Sequence, residues 1–75
     1  MPRTQRLTAI IEREEDGFVS LCPELDIASQ GATIEEARAN LVEALTVFFE
    51  TADPSEVPRR YHGDVLVTQV ELQVG

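Results

Sequence analysis

The sequence is poor in cysteine, in basic residues and in long apolar runs, and each shortage excludes a class of protein. Cys22 is the only cysteine in 75 residues, and one thiol cannot form an intramolecular disulfide, which fits a reducing cytoplasm. No run of about 18 apolar residues is present, and the first six residues lead into no apolar signal segment. We therefore expect a cytoplasmic protein that is neither exported nor inserted into a membrane.

Negative charge dominates the chain. Fourteen acidic residues stand against six arginines and no lysine, which gives a formal net charge of −8. This charge repels a phosphate backbone over most of the surface, so we expect no direct binding of DNA or RNA. The same field attracts a basic protein, and a basic protein that itself binds RNA is one natural partner. Plain solubility is the alternative reason for such a charge.

The chain length permits a single domain, residues 1–75, around one hydrophobic core. At this size apolar burial only narrowly exceeds the entropy cost of ordering the chain, and small domains often recruit further burial. No disulfide or metal framework is present to supply it. We therefore predict self-association, most simply as a homodimer.

Three short strands are predicted before Gly31. Residues 6–13 alternate between two faces, as a strand does. The acidic run ending in Asp16-Gly17 predicts a hairpin turn in which Gly17 supplies a positive φ, and residues 18–22 form the returning strand. Pro23 removes a ladder donor and ends that strand, and residues 25–30 form a third, short strand that Gly31 closes.

One helix is predicted after Gly31. Thr33-Ile34-Glu35-Glu36 is a capping box, in which the Thr33 hydroxyl accepts from the Glu36 amide and the Glu36 carboxylate accepts from the Thr33 amide. Asp53-Pro54 ends the helix near Thr51. Apolar residues recur at helical spacing and form one stripe for the core: Ile34, Ala37, Leu41, Ala44, Leu45 and Phe48.

A second apolar series on the same helix, Val42, Val47 and Phe49, lies off that stripe. Phe48 and Phe49 are adjacent, so their side chains point about 100° apart and cannot both face one sheet. We assign Phe48 to the core and predict Phe49 and Val42 as contacts with a second copy or another partner. A C-terminal strand wrapped over the helix is the alternative cover for Phe49.

The C-terminal third completes the predicted fold. Residues 55–63 hold Pro58 and a polar run and are predicted to be a loop. Residues 66–74 alternate apolar and polar side chains and are predicted to be the last strand. The element order is then β-β-β-α-β, an α+β fold with a small sheet and one helix packed on one face.

Two motifs resemble the signature of the HicB-type antitoxin N-terminal domain family. Asp16-Gly17-Phe18 followed by Cys22-Pro23-Glu24-Leu25 is similar to the family's acidic turn and strand end, and residues 30–37 read Gln-Gly-Ala-Thr-Ile-Glu-Glu-Ala, as at the family's helix start. The similarity covers about residues 7 to 50. The signature residues in this chain are Gly17, Pro23, Glu24, Leu25, Gly31, Thr33, Glu36 and Ala37.

The resemblance implies a partner-binding role and a fold similar to a truncated ribonuclease H sheet. Domains of this family associate with a small basic toxin that cleaves RNA, and they block its active surface. Family members usually carry a further C-terminal DNA-binding segment, and this sequence ends at Gly75 directly after the last predicted strand, so the resemblance does not extend to operator binding. The run Asp26-Ile27-Ala28-Ser29 also departs from the family's usual Pro-Gly or Asp-Gly pair at that point.

The sequence assigns no catalytic, cofactor-binding or metal-binding residue. A metal-dependent nuclease needs several carboxylates that converge on two cations, and Glu12, Glu24 and Asp26 are the strand-associated acids, better explained by a solvated face. His62 has no second ligand at a recognisable spacing, and Cys22 has no activating motif around it. We interpret His62 as a surface residue and Cys22 as a small apolar one.

The run Arg59-Arg60-Tyr61 pairs charge with an aromatic ring, which suits either phosphate contact or an internal ion pair with the acidic helix. The sequence leaves three hypotheses. The first is a HicB-like antitoxin domain that blocks a basic RNA-cleaving toxin, and the second is an orphan dimeric domain. The third, from fold analogy alone, is a degenerate metal-dependent ribonuclease.

Overall fold

A three-stranded sheet and one long helix make up the body of the molecule. The computed structural model describes residues 4–75, and residues 1–3, at the start of the predicted domain, lie outside the described residues. The elements are β1 (Ile10–Glu14), β2 (Gly17–Cys22), β3 (Ile27–Gly31), α1 (Ile34–Thr51) and α2 (Glu56–Arg60). The sheet is antiparallel in the order β1-β2-β3, and α1 packs mainly against β3 and β2. The predicted α+β class is confirmed.

The β1–β2 hairpin closes on a two-residue turn. Glu14 pairs with Gly17, which leaves Glu15 and Asp16 to reverse the chain. None of the four residues has a positive φ, so the predicted conformational role of Gly17 is wrong. Glycine is needed there for space, because a Cβ on Gly17 would lie 2.6 Å from the carbonyl oxygen of Gly31.

Strand β1 begins at Ile10, later than the predicted start at Arg6. The partner strand explains the difference. Ile10 pairs with Leu21, and β2 ends at Cys22 because Pro23 has no N–H for the ladder. Residues 4–9 therefore have almost no strand left to pair with, and the Thr8 amide donates to the carboxylate of Glu24 instead.

The turn between β2 and β3 takes two residues that were predicted to belong to β3, which starts at Ile27. Leu25 is fully buried, and its amide donates to the Cys22 carbonyl at 3.3 Å. Asp26 has φ 55°, in the left-handed region, where aspartate is better tolerated than most residues. A left-handed residue cannot continue a strand, so β3 begins after it.

Helix α1 starts and stops where predicted. The Thr33 hydroxyl accepts from the Glu36 amide at 3.0 Å, which confirms the cap. The Glu36 carboxylate accepts from the amide of Ala32 at 2.8 Å, one residue before the predicted donor, Thr33. At the other end the Ala52 amide donates to the Phe48 carbonyl, and Ala52 is extended before Asp53-Pro54.

The core lies between α1 and the sheet and is small. Its fully buried apolar residues are Cys22, Leu25, Ala37 and Leu41, and its partly buried rim is Leu7, Ile27, Leu45 and Phe48. The position of Phe48 agrees with the prediction. Ile34 was predicted to join the core but is half exposed, because a side chain in the first turn leans past the helix N-terminus.

Residues 55–63 were predicted to be a loop, but they contain the one-turn helix α2. Pro58 is compatible with a first helical turn, whose N–H groups have no intrahelical acceptor. Glu56 in the first turn and Arg60 in the last turn suit the helix dipole, and they form an i,i+4 ion pair at 3.8 Å. This pair replaces the predicted one with the acidic long helix.

The predicted last strand is wrong. Residues 62–75 contain neither helix nor strand, so the observed order is β-β-β-α-α. Four apolar residues of this segment are more than 70% exposed: Leu66, Val70, Leu72 and Val74. A segment becomes a strand only when a neighbouring strand accepts and donates its backbone hydrogen bonds. The sheet of the single chain has β1 and β3 as its edges, and the C-terminal segment pairs with neither.

Among residues 4–75, neither helix combines the length and the apolar character that a bilayer crossing requires.

Removing the helix cap tests the start of α1. Thr33→Ala deletes the hydroxyl that accepts from the Glu36 amide, so we expect a loss of about 1 kcal/mol in the free energy of unfolding. Urea denaturation followed by circular dichroism measures it. Thr51→Ala, at the far end of the same helix, is the matched control with a smaller effect. Equal losses in both variants would contradict the cap.

A methyl group at Gly31 tests the contact between β3 and α1. A Cβ there would lie 2.5 Å from the Ala37 nitrogen, and backbone cannot move aside cheaply, so Gly31→Ala should destabilise the domain by about 3 kcal/mol. Gly63→Ala is the control, because its Cβ would meet only the exposed ring of Tyr61. Thermal melts of both variants decide the point, and a neutral Gly31→Ala would overturn this packing.

Candidate functional site

The buried carboxylate of Glu24 ties the N-terminal segment to the β2–β3 turn. Its two oxygens accept from the Thr8 amide at 3.1 and 3.0 Å, and Oε2 also accepts from the Thr8 hydroxyl at 2.6 Å. The Cys22 thiol donates to Oε1 at 3.5 Å. Glu24 is only 8% exposed, and all its hydrogen bonds are made within the chain. This acid is an anchor for structure.

The hydrogen bonds decide the charge state of Glu24. Burial acts to raise the pKa of its carboxyl group, but the donors on Thr8, together with the backbone and Cys22, outweigh burial and the pKa falls below its ordinary value. Glu24 is therefore ionised at neutral pH. A buried anion with satisfied partners stabilises the fold only while it stays charged.

Cys22 is fully buried in the core. Burial raises the pKa of its thiol, and its hydrogen bond to Glu24 and the negative charge there act in the same direction. A thiol that resists ionisation is a poor nucleophile. The position therefore fits the interpretation of Cys22 as a small apolar residue of the core.

The run Arg59-Arg60-Tyr61 lies at the end of α2, and Arg60 faces inward. Its guanidinium donates to the Leu25 carbonyl at 2.8 Å and stacks over the Phe48 ring at 5.3 Å. The amide of His62 donates to the Glu24 carbonyl at 2.6 Å, while its side chain is exposed. Arg60 therefore holds the end of α2 to the domain.

The three acids that were the candidates for a metal site do not lie together. Glu12 is exposed on β1, Asp26 is exposed in the β2–β3 turn, and the Glu24 carboxylate is taken up by Thr8 and Cys22. Across residues 4–75 the structure forms no group of three or more His, Cys, Asp or Glu side chains suited to hold a metal ion.

The signature residues occupy places where the chain is tightly packed. Gly17 and Gly31 allow close backbone approach, and Leu25 and Ala37 are fully buried. The remaining four serve turns and caps as described above: Pro23, Glu24, Thr33 and Glu36. Each of the eight signature residues therefore has a structural role that accounts for its identity without a catalytic one.

A concave surface, which we call the acidic hollow, lies between the hairpin turn and the start of α1. It encloses about 820 Å³, and among residues 4–75 its lining includes four acidic residues and no basic one. Three of the acids, Glu14, Glu15 and Asp16, are exposed and belong to the hairpin turn, and Glu36 comes from α1. Arg13 does not line the hollow, and its guanidinium stacks on Phe18. The hollow suits a cationic group.

A second depression, the apolar groove, lies between residues 5–9 and α1. It encloses about 290 Å³, with Val42, Leu45 and Phe49 on the helix side and Leu7 and Ala9 opposite. Val42 is 52% exposed and Phe49 is 39% exposed. The structure thus brings the two predicted contact residues into one groove that the described chain leaves open.

Sequence reasoning missed the second wall of this groove. Residues 6–13 were predicted as one strand, but Leu7 and Ala9 precede β1 and face the helix at the groove. The signal that could have found it is the position of Pro23. Because Pro23 follows so soon after the hairpin turn, the returning strand is too short to pair with all of residues 6–13.

No protein-family model, curated protein or solved structure matches this chain.

Neutralising Glu24 tests its role as an anchor. Glu24→Gln keeps the shape but loses the charge, so we expect about 1–2 kcal/mol lower stability at pH 7. The folded pKa of Glu24 lies below the ordinary 4.5, so its contribution is complete above pH 4.5 and disappears as the pH falls through the folded value. The difference between the two proteins should shrink toward pH 3 in urea denaturation.

Glu43→Gln is the matched control, because Glu43 is exposed on α1. A surface change of this kind is expected to alter stability by less than about 0.5 kcal/mol. A stability gap between Glu24→Gln and the unmodified protein that is the same at pH 7 and pH 3 would contradict the ionised anchor.

Proposed function

We propose that this chain is a cytoplasmic protein-binding domain that neutralises a small basic RNA-cleaving protein, as the HicB-like antitoxin domains that it resembles do. The observation that carries the proposal is the acidic hollow, where the part of the chain that the structure describes contributes four carboxylates and no basic side chain. The motif at residues 16–37 and the net charge of −8 support the same class of partner.

The hollow is suited to arginine and lysine side chains. Glu14, Glu15 and Asp16 stand at its exposed rim, where charges steer an approaching partner and set its orientation. The small residues Gly17 and Ala32 line the hollow as well and leave room for a long cationic side chain. An RNA-cleaving protein needs a basic surface to hold its substrate, and covering that surface would block cleavage.

Binding is proposed over catalysis because the one buried acid is already engaged. A carboxylate that binds a catalytic metal needs free oxygens facing the cation. Both oxygens of Glu24 accept hydrogen bonds from Thr8, and one also accepts from Cys22.

If the adjacent reading frame encodes a small basic protein of the toxin type, that protein is the partner to be tested. We expect the two purified proteins to form a complex, and the complex to cleave labelled RNA more slowly than the basic protein alone. Replacing the three hairpin acids together, Glu14→Gln, Glu15→Gln and Asp16→Asn, should weaken the complex about tenfold or more, since exposed charges contribute up to about 1 kcal/mol each. Isothermal titration calorimetry measures the change.

The matched control changes the same charge elsewhere. Glu43→Gln, Glu50→Gln and Glu71→Gln also remove three exposed charges, but none of them lines the acidic hollow. The control should weaken binding far less than the hairpin variant. Equal weakening would show that only the overall field matters, and no complex at all would favour the orphan dimeric domain.

A further inference from the structure

The C-terminal segment, residues 64–75, is an apolar strand sequence without a partner. Leu66 is 84% exposed, Val70 81%, Leu72 74% and Val74 86%, and polar and apolar residues alternate from Gln69 to Val74. Period-two alternation marks a strand with one buried face. Five exposed apolar residues of one segment, counting Val67, form a patch of the kind that marks an interaction surface.

The dimensions of the molecule show how much more surface it exposes than a compact protein of the same length. A compact chain of 75 residues has a radius of gyration of roughly 11 Å by the usual scaling, whereas the Cα radius here is 14.6 Å. The accessible surface is 6401 Å², about 1,800 Å² more than compact proteins of 8.3 kDa expose. If each of two copies buried half of that excess, the interface would reach the size of a standard stable one.

Every copy of this chain has a surface that could bind such a strand. Within residues 4–75, β1 pairs with β2 alone, so its other edge has free N–H and C=O groups. The apolar groove lies between α1 and the residues that lead into β1. A strand laid beside residues 5–12 would cover Val42 and Phe49. Addition of an extended segment to a sheet edge supplies backbone hydrogen bonds and pockets for alternate side chains.

The start of the segment is held in place. The His62 amide donates to the Glu24 carbonyl, and Arg60 donates to the Leu25 carbonyl. From there the segment runs outward, and the molecule measures 52 Å along its long axis against 29 Å across. Its apolar side chains are exposed, so they do not occupy the groove of their own chain.

We propose that two copies of this chain exchange C-terminal segments, each laying Val70 and its apolar neighbours into the partner's apolar groove and its backbone along the partner's β1 edge. The exchange is reciprocal, so it closes as a twofold dimer and leaves neither groove open. It covers Val42 and Phe49 and removes the exposed apolar face of the segment. The acidic hollow is lined by other residues and stays available.

Sedimentation equilibrium of the full chain is the first test, with two variants that differ only in the face of the segment they change. The unmodified protein should have the mass of a dimer. Val70→Asp should weaken the dimer at least about 100-fold, because Val70 enters the partner's groove. Gln69→Asp introduces the same charge on the opposite face and should leave the dimer intact. A monomeric unmodified protein, or equal effects of the two variants, would overturn the exchange.

The second test uses the unmodified chain and needs no variant to fold. Isotope-labelled and unlabelled copies are mixed, unfolded and refolded together, and filtered nuclear Overhauser spectra select contacts between copies. We expect cross-peaks from the Val70 and Leu72 methyl groups of one copy to the Phe49 ring of the other. Cross-peaks only within a copy would mean that the segment folds back, and a dimer without these contacts would equally reject the exchange. Neither test involves the basic partner, so each proposal fails independently.

Discussion

The turn at residues 23–26 is the point on which the rest of the structure depends. The Glu24 carboxylate holds Thr8, and the Glu24 carbonyl accepts from the amide of His62. The next residue, Leu25, fills the core, and its carbonyl accepts from Arg60. One short turn therefore positions the chain before β1, the core below α1 and the start of the C-terminal segment. An ionised, fully satisfied carboxylate makes this possible, because an unpaired one would be costly to bury.

The outer side of α1 and the C-terminal segment are exposed because this small domain buries little apolar surface. Among residues 4–75 the fully buried apolar residues number four, and two of them, Cys22 and Ala37, are small. Glycines at positions 17 and 31 draw the hairpin, β3 and α1 together, which is how so short a chain achieves a close-packed centre. The outer side of α1 and the C-terminal segment are left over. The proposed exchange with a second copy would cover both, since the segment of each copy would lie in the groove of the other.

The acidic hollow and the apolar groove are lined by different residues, and this gives the two proposals different locations. The acids of the hairpin turn and Glu36 surround the acidic hollow, while the groove beside α1 is lined mostly by apolar side chains. Under the two proposals, a basic partner and a second copy would occupy different surfaces, so self-association would leave the acidic hollow uncovered.

Local signals in the sequence determined the helix, the hairpin and the α+β class. The Thr33 cap, Asp53-Pro54 and the alternation of the first strands act within a few residues, so their outcome can be predicted without knowing the rest of the fold. The sequence also singled out Val42 and Phe49 as residues that the core does not need.

Only the tertiary structure decided the roles that depend on distant partners. Glu24 reads as a surface acid until Thr8 is placed beside it, and Gly17 reads as a turn residue until Gly31 is seen against it. The alternation in residues 66–74 predicts a strand and shows which of its faces is apolar. It does not show which sheet edge this strand would pair with. Pairing is a non-local choice, so the same residues remain an open segment in one chain and need a second surface to become a strand.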